Sequence, residues 1–119
     1  MGLNLSNALV EKSSLTEKEI ESLISYMRIV TGEIHYKEAA AMRTGKPVTI
    51  GSYYRTIQQG RTKVRRAIVT LLLSITIGLV KTQDAERLIE LVGKGSKIAR
   101  EDEERFVTIL LTLLDRIVM

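Results

Sequence analysis

Residues 49–79, TIGSYYRTIQQGRTKVRRAIVTLLLSITIGL, decide the fold of this 119-residue chain. Tyr53, Ile57, Val64, Ile68, Leu71, Leu72, Ile75 and Leu79 recur at helical spacing through this stretch, and a period near 3.6 is the signature of a helix with one apolar face. Thr49 stands where a side chain can cap the first turn. Gly60 falls inside the run, where it is expected to kink the helix or divide it in two.

Upstream, Leu15-Thr16-Glu17-Lys18-Glu19-Ile20 carries a capping box. Thr16 and Glu19 are three residues apart, so each side chain can satisfy the other's backbone N–H, with Leu15 and Ile20 placed as a hydrophobic staple. The helix that follows bears Ile20, Leu23, Ile24, Met27 and Val30 and is expected to end at Gly32. Residues 1–14 read as an N-terminal arm with a short helix around 8–12. A further helix fits residues 35–44, with Ala39, Ala40, Ala41 and Met42 as a small packing surface and Gly45 at its left-handed end. Pro47, the single proline, forbids helix at the residue before it.

Downstream, Thr82 is expected to cap a helix containing Leu88, Ile89, Leu91 and Val92 that stops at Gly93. Gly93-Lys94-Gly95-Ser96 then reads as a loop, and a last helix starts near Ile98 and carries Phe106, Ile109, Leu110, Leu113, Leu114, Ile117 and Val118. Strand-like alternation and internal repeats are not evident. The expectation is an all-α chain of about five helices: the arm, then a single all-helical domain over residues 15–119. Within it, residues 34–60 form the reading unit and residues 61–119 the core and dimerisation helices.

Composition narrows the function. With no Cys and one His, disulfides, thiolate-ligated metals, thiol nucleophiles and multi-His metal sites are excluded. His35 beside Glu33 and Glu38 reads as a surface or capping residue. The expectation is a protein that is not an enzyme, with no catalytic residue, no metal and no cofactor. Gly45-Lys46-Pro47-Val48-Thr49 lacks the first glycine of a phosphate loop and the hydroxyl directly after its lysine. Glu101-Asp102-Glu103-Glu104 lacks the glycine turn of a calcium loop. The segment 67–80 is apolar but too short for a bilayer, and residues 1–14 have no leader pattern. No membrane association and a cytoplasmic location are expected.

The formal net charge of +4 is unevenly held. Residues 33–66 carry eight basic and two acidic side chains, a net of +6, whereas the segments before and after each carry −1. A concentrated basic segment points to a polyanionic partner.

Glu38-Ala-Ala-Ala-Met-Arg-Thr-Gly45 followed by Val48-Thr-Ile-Gly-Ser-Tyr-Tyr-Arg-Thr-Ile57 resembles a helix-turn-helix DNA-binding unit. Ala41 resembles the small residue at which that family's helices cross, Gly45 its turn glycine, and Val48-Thr49 the pair that enters and caps the reading helix. Lys46-Pro47 lengthens the usual turn by two residues. The resemblance implies that Tyr53 and Ile57 point inward and that Thr49, Ile50, Ser52, Tyr54, Arg55 and Gln58 face the groove. Arg55 suits guanine or phosphate, and Gln58 and Gln59 suit adenine. Arg61, Lys63, Arg65 and Arg66 would track the backbone, with Lys46 adding a further contact. The expected partner is double-stranded DNA, read by a transcriptional regulator or chromatin-type protein. Single-stranded nucleic acid or RNA, stacked on Tyr54, is an alternative. The surplus apolar positions of residues 67–80 and 106–119 are expected to form a homodimer interface, setting two reading helices about one DNA turn apart. A second alternative is an accessory subunit of a DNA polymerase or other nucleic-acid-processing assembly, with its C-terminal helix docked on a protein partner.

Overall fold

The computed structural model describes the backbone of residues 7–43, 48–101 and 103–118, with side chains over 9–43, 48–94 and 104–118. Over these residues six helices follow one another: α1 Asn7–Lys12, α2 Glu17–Val30, α3 Tyr36–Ala41, α4 Ile50–Thr76, α5 Thr82–Glu101 and α6 Glu103–Ile117. No strand occurs among the described residues. The chain divides into two compact units, Ser13–Ala67 and a second made of Met1–Lys12 with Ile68–Met119.

In Ser13–Ala67 the capping box forms. Glu19 N donates to Thr16 Oγ1 at 3.1 Å, and Thr16 N donates to Glu19 Oε1 at 2.9 Å. α2 ends on a left-handed Gly32 at φ +80°. There Gly32 N reaches Ile29 O and Glu33 N reaches Arg28 O, so the last carbonyls of the helix stay paired. Ile34 then turns inward and begins a core completed by Ala39 and Ala40 of α3 and Tyr53 and Ile57 of α4. Leu23, Tyr26, Ile29, Tyr36 and Val48 pack around it. Burying an aliphatic side chain as fully as Ile34 or Ile57 stabilises the unit by about 1.5–3 kcal/mol. The Tyr53 hydroxyl does not enter the core unpaired: it contacts Ser25 Oγ and donates to Ser22 O at 3.2 Å.

Several expectations are corrected here. Gly60 does not divide α4, which runs unbroken from Ile50 to Thr76. Its missing side chain makes room for α2 instead: a Cβ at Gly60 would lie 2.9 Å from Leu23 Cδ1. The close approach of α2 to α4 therefore sits at Gly60. Ala41 is exposed, and Ala40 and Ala39 hold the buried positions. α3 is shorter than residues 35–44, with His35 at its N-cap and Met42 at its C-cap. Gly45 and Pro47 lie outside the described residues.

In the second unit, α4 ends on Gly78 at φ +84°, short of the expected Leu79. The pairing there repeats that at Gly32: Gly78 N reaches Ile75 O, and Leu79 N reaches Ser74 O at 2.9 Å. Two residues on, Val80 is buried as Ile34 is; seven on, Ala85 is buried as Ala39 is. α5 packs against α6. It runs through Gly93 and Gly95 to Glu101, so the stretch 93–96 is helix and not the expected loop. Two helical glycines cost about 1 kcal/mol each relative to alanine, less than the good helix formers around them and the packing of α5 on α6 return. α6 accordingly begins at Glu103 and not near Ile98, and it buries Phe106, Val107 and Leu110.

Candidate nucleic-acid interface

α4 carries no carboxylate over its 27 residues. Its inward face in Ser13–Ala67 is Tyr53, Ile57 and Gly60, at spacings of four and three. The opposite face is therefore fixed by geometry. Arg55, Gln59, Thr62 and Arg66 follow at i, i+4, i+7 and i+11, forming one exposed stripe. Tyr54 and Arg65 are exposed on the adjoining stripe, which Gln58 and Arg61 share as half-buried members. From Ile50 to Arg66 this face is roughly 24 Å long at 1.5 Å per residue.

The start of α4 is built to present its backbone. Thr49 Oγ1 accepts from Ser52 N at 3.1 Å, confirming the expected cap, while Thr49, Ile50, Gly51 and Ser52 are all exposed. A Cβ at Gly51 would meet nothing within 4 Å, so the first turn is open on that side. The unpaired N–H groups and partial positive charge of a helix start favour an anion there.

The five α4 cations divide into distinct groups. Lys63 Nζ donates to Glu19 Oε1 at 2.7 Å, and Glu19 is 4% exposed. This lysine is engaged by the fold, with its side chain 36% exposed. The Lys63 hydrogen bond, with the Thr16 backbone N–H behind it, holds the Glu19 carboxyl below its ordinary value of 4.5. Arg61 lies over the ring of Tyr26, 5.6 Å from its centroid, an attraction worth roughly 0.5–1 kcal/mol. Arg55, Arg65 and Arg66 make no ion pair among the described residues. Lys46 lies outside the described residues.

Tyr54 is half in water and leans on Tyr36, ring centroids 6.2 Å apart and tilted by 56°. Tyr36 in turn meets Tyr53 edge to face at 6.5 Å. Burial, reinforced by Tyr26 and Tyr54, pushes the Tyr36 phenol above its usual range. It therefore remains a neutral hydrogen-bond donor.

The unit Ser13–Ala67 holds ten basic and five acidic side chains, a net of +5, and the remainder of the chain holds eight and nine, a net of −1.

No family model, curated protein or solved structure matches this chain. His35 is exposed, and no group of three His, Asp or Glu side chains gathers around a metal position among the described residues. No described helix is long and apolar enough to cross a membrane.

The functional feature that sequence reasoning missed is the sorting of the cations. The sequence marks Glu19 as part of a cap, yet the same carboxylate oxygen also takes Lys63. The 44-residue separation of that pair gives no local signal of contact.

Proposed function

We propose that this chain binds duplex DNA through the outward face of α4, without catalysing a reaction. The observation that carries the reading is a long helix free of carboxylates. Its inward lysine is neutralised by Glu19, while Arg55, Arg65 and Arg66 stand in water. A structural surface helix normally alternates the signs of its charges. A helix with one sign only repels itself until a polyanion covers it.

In this reading Thr49, Ile50 and Ser52 enter first and bring the helix start to a phosphate. Arg55 and Gln58 meet base edges, and Tyr54 and Arg61 meet the sugar–phosphate wall. Arg65 and Arg66 neutralise phosphates further along. The face is about twice as long as the roughly 12 Å width of the major groove, so its two ends reach opposite walls. Tyr54 is engaged with Tyr36, which favours duplex over the stacking of unpaired bases.

Titration of a labelled duplex at two salt concentrations tests the proposal. Binding should weaken steeply with salt, and Arg65→Ala/Arg66→Ala should reduce that dependence by about two phosphate contacts. Absence of binding at low salt refutes the proposal. If binding survives Arg55→Ala unchanged for every sequence, α4 is a backbone clamp and not a reader.

A further inference from the structure

Beyond Arg66 the character of α4 changes. Residues 67–80 contain no charged side chain, and Ile68, Val69, Leu72, Leu73 and Ile77 are each between 54% and 69% exposed. At 100° per residue, Leu71, Ile75, Ile68, Leu72, Val69 and Leu73 sweep an apolar arc of roughly 200°. An amphipathic helix serving one core needs a stripe little wider than 100°. Two of the three hydroxyls in this stretch are turned onto the helix: Ser74 Oγ donates to Thr70 O at 2.7 Å, and Thr76 Oγ1 donates to Leu72 O at 2.8 Å.

The apolar surface left in water by the five most exposed of these side chains is on the order of 500 Å², at roughly 100 Å² each. The largest apolar patch of a typical monomer is about 300–600 Å², and each partner of a stable dimer contributes about 800 Å². The patch is thus at the upper end of what a monomer leaves in water, supplies more than half of one dimer partner's share, and is continuous along one element.

We infer that a second copy of this chain covers the apolar C-terminal end of α4. A surface without charge and dominated by aliphatic side chains is matched by another of the same kind, and the chain supplies one at its own concentration. Two copies of one helix face close on each other about a two-fold axis. The seam lies on α4, whereas the C-terminal helix turns Phe106, Val107 and Leu110 inside. This inference stands independently of what the arginine face binds.

Sedimentation equilibrium of the full chain should give twice the 13.4 kDa chain mass at micromolar concentration. Leu72→Glu/Leu73→Glu should return the mass of one chain with helical circular dichroism retained. Val30→Glu, exposed on α2, should leave the dimer intact. Should the double glutamate variant lose helicity, the milder Val69→Thr/Leu72→Gln must weaken dimerisation at least tenfold. A single-chain mass for the wild type at every concentration overturns the inference. So does open-ended assembly, or a dimer indifferent to the α4 variants. Co-sedimentation with phosphatidylcholine–phosphatidylglycerol vesicles that disappears in Leu72→Glu/Leu73→Glu assigns the patch to lipid and overturns it too.

Discussion

Glu19 is asked to do two things with one carboxylate oxygen: close the cap of α2 on Thr16 N and receive Lys63 of α4. Both bonds favour the ionised form, so the folded protein holds this carboxyl below the unfolded value. The stabilisation is therefore complete above the unfolded pKa and is lost as pH falls through the depressed folded one. Glu19→Gln should cost about 1–2 kcal/mol at neutral pH. It should also flatten the acid limb of stability below the ordinary carboxylate value of 4.5. Urea midpoints across that range, compared with wild type, give the measurement. Gly60 poses a question of magnitude. Alanine gains about 1 kcal/mol of helix propensity but sets its Cβ 2.9 Å from Leu23 Cδ1. That atom is the end of a flexible side chain that can give way, so Gly60→Ala should lie within about 1 kcal/mol of wild type. Gly60→Ile has nowhere to place its branches and should lose about 1–3 kcal/mol or more by overpacking. Equal midpoints for the two variants would show that α2 does not pass close to this residue.

At the scale of elements, two turns share one construction. Gly32 and Gly78 are both left-handed, both let the following N–H cap the preceding helix, and both place a buried aliphatic residue two positions later. A Cβ at either would meet nothing within 4 Å. The cost of Gly32→Ala or Gly78→Ala is thus conformational only, about 1–2 kcal/mol, and thermal melts should show losses of similar size at the two sites. Gly93 is the opposite case, an open helical position with ordinary φ. Gly93→Ala should stabilise by up to about 1 kcal/mol, and an unchanged or lowered midpoint would mean the helix breaks there after all. These glycines also show what the sequence made legible. A glycine closing a long apolar period, as at Gly32, is read correctly because the period stops with it. Gly93 and Gly60 look the same locally, and only the tertiary neighbourhood distinguishes a helix end from a helix interior. The capping box and the inward placement of Tyr53 and Ile57 were legible, being set by spacings of three and four residues. The exchange of Ala41 for Ala40 was not, since three consecutive alanines carry no phase. Nor was the repeated turn, because Gly, Ile or Val, and Ala are common residues whose geometry alone unites them.

For the molecule as a whole, charge and apolar surface are kept apart along the sequence. The excess of five positive charges belongs to Ser13–Ala67, and the near-neutral remainder carries the uncovered apolar end of α4. If the first binds duplex DNA and the second pairs two chains, the two proposals are linked by mass action. A duplex offering two correctly spaced half-sites should bind the wild type much more tightly than a duplex offering one, because the second contact is made within an assembled pair. Leu72→Glu/Leu73→Glu should abolish that advantage while leaving single-site affinity and its salt dependence as they are. Arg65→Ala/Arg66→Ala should do the reverse, weakening both duplexes and lowering the salt slope while the protein remains a dimer by sedimentation. Gel-shift titrations of the two duplexes with the three proteins separate these effects. A dimer-disrupting variant that loses single-site binding would show that the arginine face depends on the pairing for its own structure. Wild-type protein indifferent to the second half-site would show that the two surfaces act without reference to each other.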